Sequence, residues 1–166
     1  MAVNIRAPLF DRLVGRDPRS LGGRRPSHTL TREGLKESVR RELETLFNTR
    51  SALGAPLHLS RELTVIDYGI PDLSDFSAAN VEDHARLALL LTRAITAFEP
   101  RLSEVKVSVD GYEESEQSLA VSVTATLVVD AWREPVSFPT LLGVRNGGTK
   151  VMGAQVGEGS ARAGRE

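Results

Sequence analysis

The sequence contains no cysteine. Disulfides, thiolate metal ligands and cysteine nucleophiles are excluded, and an oxidising compartment is not implied. Aromatic residues are 5% of the chain, so any core is built mainly from aliphatic side chains. No apolar run approaches the ~18 residues of a membrane span, and the N-terminus lacks the continuous apolar stretch of a signal peptide. A soluble cytoplasmic protein is expected. Lysine is also scarce: of the 21 basic residues only Lys36, Lys106 and Lys150 are lysines. Such arginine use reflects either a GC-rich genome or a preference for bidentate anion contacts. A formal net charge of −1 excludes a strongly basic nucleic-acid binder and an acidic solvating tail as descriptions of the whole chain.

With 166 residues, 40% hydrophobic and 26% charged, the chain suits one globular domain. Charge is uneven: residues 1–50 hold 11 basic and 6 acidic side chains, the remainder 10 and 16. Residues 1–29 read as an extended arm interrupted by Pro8, Pro18 and Pro26. Within it Leu9, Phe10, Leu13 and Val14 form one stripe of a short docking helix. Two turns of helix are unstable alone, so the stripe must dock on the protein's own body or in a partner groove.

A domain is expected over 30–145. The apolar positions Leu35, Val39, Leu43, Leu46 and Phe47 predict a helix over 31–49, with Thr31 as N-cap. A second helix is expected over 80–98, capped by Asn80 and closed by Pro100. Its apolar residues cover more than half the cylinder, which predicts burial between a sheet and another layer. Between the helices Leu63–Ile66 reads as a short strand and 67–72 as a turn. Alternation at Val105, Val107 and Val109, then from Leu119 to Val129, predicts two strands. Val136, Phe138 and Leu141 predict a third, with Pro139 tolerable only at an edge or strand end. The fold class is therefore α+β: two main helices on one face of a small, mostly antiparallel three-stranded sheet. Residues 146–166 lack an apolar period and read as a disordered tail.

Few residues suggest chemistry. His28, His58 and His84 are far apart and match no zinc spacing, and no phosphate loop, dinucleotide fingerprint or nucleophile elbow occurs. The acidic residues Glu113, Glu114 and Glu116 read as solvated loop charges. No catalytic residue, metal or cofactor is expected. The segment Phe98-Glu99-Pro100-Arg101-Leu102 stands apart. A carboxylate at a helix C-terminus opposes the dipole, and the proline should push Glu99 into an extended conformation, where positions two apart face the same side, so that Glu99 and Arg101 project together. They read either as a self-satisfied pair or as charges that meet a partner and fix its register. Trp132 is placed in a turn, as an interface anchor or as packing over its own sheet end.

Four pieces in order carry a resemblance: Leu9-Phe10-Asp11-Arg12-Leu13, the helix from Ser38 to Arg50, the turn from Val65 to Leu73 around Tyr68-Gly69-Ile70-Pro71, and Glu99-Pro100-Arg101-Leu102. Together they resemble the TssE family of type VI secretion baseplate subunits, itself similar to the wedge protein of contractile phage tails. The resemblance covers about residues 8–143. It implies a non-enzymatic structural component that binds other wedge subunits (TssF, TssG, TssK) and helps start assembly of the sheath (TssB, TssC). It implies partner contacts at Glu99, Pro100, Arg101, Tyr68 and the arm residues Leu9, Phe10 and Leu13. The location implied is the cytoplasmic baseplate docked at the inner-membrane complex, with no nucleic acid and no membrane insertion. The rivals are a phage or related injection-machine wedge protein and a lysozyme-like peptidoglycan-cleaving enzyme. A glycosidase needs a carboxyl kept protonated by its surroundings, whereas Arg101 beside Glu99 favours the ionised form.

Overall fold

The computed structural model describes residues 5–6, 29–74, 76, 80–113, 118–130, 132–143 and 148–156. Strands β1 (Ile5–Arg6) and β2 (Thr29–Leu30) pair antiparallel. Leu9, Phe10 and Leu13, and the expected docking helix, lie outside the described residues.

Helix α1 (Arg32–Asn48) begins where Thr31 Oγ1 accepts the Gly34 N–H at 3.1 Å, satisfying one of the helix's free amides. Helix α2 (Ala55–Ser60) follows, with Pro56 in its first turn. Helix α3 (Val81–Phe98) is capped by Asn80, whose Oδ1 accepts from Glu82 N at 3.0 Å, and carries Glu82 and Asp83 in its first turn. It stops at Phe98, two residues before Pro100, which offers no N–H and disfavours helical backbone at Glu99. No described helix is long and apolar enough to cross a membrane.

Three long strands follow: β3 (Leu102–Glu113), β4 (Ser118–Val129) and β5 (Trp132–Gly143). The sheet runs β3-β4-β5-β6, with β6 (Lys150–Val151) and β7 (Gln155–Val156) both pairing β5, and every pair is antiparallel. Alternation does its expected work. Leu119, Val121, Val123, Ala125 and Leu127 of β4 and Val136, Phe138 and Leu142 of β5 are buried with Leu35, Val39, Leu43, Leu46 and Phe47 of α1 and Leu87, Leu90, Leu91, Ala94 and Ile95 of α3. Each fully buried side chain of this kind contributes about 1.5–3 kcal/mol.

The α+β class holds, but the sheet exceeds three strands. Residues 148–156, assigned from sequence to a disordered tail, add two of them. The cause is side-chain capture by α1. Asn48 bonds the Thr149 backbone both ways, Nδ2 to O at 2.8 Å and N to Oδ1 at 2.8 Å. Arg40 Nη1 donates to the Val151 carbonyl at 3.0 Å. Arg40, Glu44 and Asn48 recur every four residues, so one helix stripe grips one short strand. Val151 is buried as a result.

Three further expectations change. Leu63–Ile66 is not a strand; Val65–Asp67 forms a 3₁₀ turn closed by a capping box between Thr64 and Asp67. Trp132 begins β5 rather than lying in a turn, and Arg32 stacks over its ring at 5.1 Å. Helix α3 is not buried between two layers: Val81 and Leu89 are exposed. Pro139 lies inside β5, opposite Ser122 of β4. Its carbonyl accepts from Met152 N at 2.8 Å. In an antiparallel strand the N–H of a residue points to the same side as its carbonyl. The missing amide therefore faces outward, at the break between β6 and β7, where no ladder bond is forfeited.

Among the described strands β3 is at the edge of the order. It carries two irregularities in register, between Ser103 and Lys106 and between Val109 and Gly111. Glu104 takes φ 54° at the first, and its carboxylate accepts from Thr126 Oγ1 at 2.8 Å. Bulges on an edge strand twist it and discourage indiscriminate pairing.

Candidate functional site

The chain leaves α3 through a tight turn in which Leu102 N donates to the Glu99 carbonyl at 3.1 Å. The turn, with Pro100 at its exposed corner, folds Arg101 back over Glu99. Arg101 Nε donates to Glu99 Oε1 at 2.7 Å, Arg101 N to the same oxygen at 3.2 Å, and Nη2 to Oε2. Arg101 also reaches α1, donating through Nη1 to Ser38 Oγ at 3.2 Å and pairing through Nη2 with Glu42 Oε2 at 2.8 Å.

Exposure sorts these groups. Glu99 is 2% exposed. The Arg101 side chain is 17% exposed and that of Glu42 39%. The pair projects together as expected, through a turn rather than an extended segment. Glu99 does not offer its charge at the surface, because it is buried and Arg101 donates to both carboxylate oxygens. Only Pro100, the rim of Arg101 and Glu42 are reachable. The network's evident work is to tie the end of α3 to the middle of α1.

Tyr68 joins the same cluster. Its ring meets Phe98 edge-on, centroids 5.2 Å apart, a geometry favoured by the ring quadrupoles. Burial, together with the charges of Glu42 and Glu99, pushes its hydroxyl pKa up. The turn that carries Tyr68 is held against the end of α1 by Ser51 N to the Ile70 carbonyl and Ile70 N to the Thr49 carbonyl, both 2.9 Å. Gly69 (φ 114°) permits this approach. Sequence reasoning found Tyr68, Glu99, Pro100 and Arg101 but missed Ser38, Glu42 and Phe98 as their partners. A signal existed: Ser38 is a polar residue in the otherwise apolar buried stripe of α1.

The neighbouring turn displays two aliphatic side chains that the sequence reading placed in a strand. Val65 is 88% exposed and Ile66 82%. Below them Asp67 is buried, accepting from Thr64 N at 2.9 Å and Thr64 Oγ1 at 2.8 Å and paired with Arg61. These bonds hold its carboxyl below the usual carboxylate range. The exposed pair thus sits on a braced turn, and little conformational freedom remains to be lost on binding.

His58 lies beneath, fully buried, with neither ring nitrogen hydrogen-bonded. Burial lowers its pKa from an ordinary 6.5, and nearby Arg93 adds to the effect, while the Gly69 backbone and Asp67 oppose it. The unfolded chain therefore binds the His58 proton first as pH falls. Stability is complete above about pH 6.5 and declines below it. Asp67, Asp72 and Glu37 also have lowered values, but their losses begin only near the carboxylate range. Urea unfolding at pH 7.5 and 5.5 should show a lower midpoint at 5.5, and His58→Leu should remove most of that difference. A variant with an unchanged pH dependence would contradict the assignment.

Among the described residues no cluster of three or more His, Asp or Glu side chains could hold a metal ion. Glu114 and Glu116 lie outside the described residues. A family model described as baseplate wedge protein gp25 matches residues 33–131, from the first turn of α1 to just beyond β4. That span contains the Tyr68–Glu99–Arg101 cluster and the exposed turn. No curated protein and no solved structure matches the chain.

Proposed function

Since the chain belongs to the baseplate wedge protein gp25 family, we propose that it is the TssE-type wedge subunit of a type VI secretion baseplate, a structural component that helps start sheath assembly. Its partners are the other wedge subunits, TssF, TssG and TssK, and the sheath proteins TssB and TssC. It works in the cytoplasm, at the baseplate docked on the inner-membrane complex. No catalytic activity is assigned, because the one buried carboxylate at the motif is fully engaged by arginine. The family match over the elements that build the motif cluster carries this reading.

Within it, Glu99 and Arg101 act as a brace that sets the angle between α1 and α3, while Tyr68, Pro100 and the rim of Arg101 lie nearer the contact surface. The outer edge of β3, unpaired among the described residues, suits an extended partner arm added as a further strand. The arm residues Leu9, Phe10 and Leu13 supply a further apolar contact. The braced pair Val65 and Ile66 is the best candidate for an anchoring contact, since well-packed apolar anchors carry most interface energy. Co-purification of the TssF and TssG subunits with wild-type and Val65→Ser/Ile66→Ser protein tests this. The double variant should keep the wild-type melting temperature, because both side chains are already solvated, yet lose at least about tenfold in partner affinity. Unchanged capture would remove the pair from the interface.

A further inference from the structure

We propose that the cavity between α2 and α3 is a docking site for an acidic-apolar peptide segment of a partner protein, a glutamate or aspartate beside a large apolar residue. The cavity, about 410 Å³, is bounded by Ala52, Leu53 and Pro56 on one side, Phe76 and Asp72 on another, and Arg86 of α3. Its volume accommodates one or two side chains. It shares no residue with the Glu99–Arg101 cluster.

Arg86 identifies the occupant. Its guanidinium lies 5.4 Å from the Phe76 ring centroid. Among the described residues it makes no hydrogen bond or ion pair. Four other arginines are engaged by polar groups: Arg40 by Glu37 and Glu44, Arg61 by Asp67, Arg93 by the Arg61 carbonyl, Arg101 by Glu99 and Glu42; Arg32, like Arg86, rests on an aromatic ring, but it does not line the cavity. A guanidinium resting on an aromatic face is partly immobilised, yet its edge N–H groups stay free to bind a carboxylate through two parallel bonds. Asp72 does not neutralise it. That carboxylate accepts from Ser74 N at 3.0 Å and Ser74 Oγ at 2.7 Å, and these bonds hold its pKa below the usual range. Among the described residues the cavity therefore has an acidic wall, apolar walls and one cation without a carboxylate partner. An incoming anion is steered to the Arg86 side, and its apolar neighbour faces Leu53 and Pro56. A neutral or basic segment gains nothing from Arg86.

The test is a ¹⁵N NMR titration of the whole protein with acetyl-Phe-Glu-Leu-amide and its glutamine counterpart. The glutamate peptide should shift the amide signals of Leu53, Ala55 and Phe76 in a saturable way. The glutamine peptide should bind about tenfold more weakly, the size of one charge-assisted hydrogen bond. Arg86→Gln, an exposed position, should abolish that difference while leaving the rest of the spectrum intact. Ala52→Leu, which narrows the cavity and leaves Arg86 in place, should weaken both peptides. The proposal is overturned if neither peptide shifts these signals, if the two bind equally, or if Arg86→Gln leaves the preference intact. None of these outcomes depends on whether the chain assembles into a baseplate.

Discussion

Arg101→Ala is expected to destabilise the fold by about 3–5 kcal/mol, the usual cost of leaving a buried charge without its partner. Glu99 is almost wholly removed from solvent and depends on Arg101 for the bonds to both of its oxygens. Water cannot replace them without opening the contact between α1 and α3. Glu42→Ala should cost well under about 1 kcal/mol, because that carboxylate is partly solvated and its pairing is correspondingly weak. Glu99→Leu/Arg101→Met should recover most of the loss, since removing both charges leaves no ion stranded. Urea denaturation of the four proteins measures these differences. A loss below about 1 kcal/mol for Arg101→Ala would contradict the buried-pair account.

The double variant also separates two roles for the motif. A single substitution that abolishes assembly is ambiguous, because an unfolded or loosened subunit cannot assemble. If the charge-free pair folds and assembles normally, the motif acts by holding two helices at a fixed angle. If it folds but fails to assemble, the rim of Arg101 touches a partner directly.

Gly69→Ala is the second large effect. A Cβ at this position would lie 2.5 Å from the Thr49 carbonyl oxygen and 2.9 Å from Ser51 N. Both are backbone atoms that cannot rotate away. The φ of 114° adds strain of its own, and left-handed or related backbone costs a side-chain-bearing residue about 1–3 kcal/mol. The clash forces apart the paired bonds between Ser51 and Ile70 and between Ile70 and Thr49. A total near 3 kcal/mol is expected, which lowers the melting temperature by roughly 10 °C in a chain of this size. The Tyr68–Phe98 contact should loosen with it, read as a weaker near-ultraviolet tyrosine signal. An alanine variant as stable as the parent would show that the turn does not need this close approach.

Much of the fold was legible because local rules act over a few residues. Thr31 and Asn80 cap their helices wherever those helices pack. Pro100 stops α3 through its own backbone. Alternation from Leu119 to Val129 sorts inner from outer side chains without reference to the rest of the chain. The chain bends at Gly69 within the segment read as a turn, but Ile70 there bridges to Arg50. Other features were not legible because they are settled by distant residues. The segment 148–156 has no periodicity of its own and is ordered by Arg40 and Asn48, about a hundred positions away. Val65 and Ile66 have the composition of a strand, but Asp67 closes a turn beneath them and turns them outward.

From the linear order of residues alone came the helices, the long strands and the closeness of Glu99 to Arg101, since two residues separated by a proline have few ways to avoid each other. Whether that pair faces water was decided only when α1 brought Ser38 and Glu42 to it. Burial depends on what packs from elsewhere, and no window of neighbouring residues contains that information.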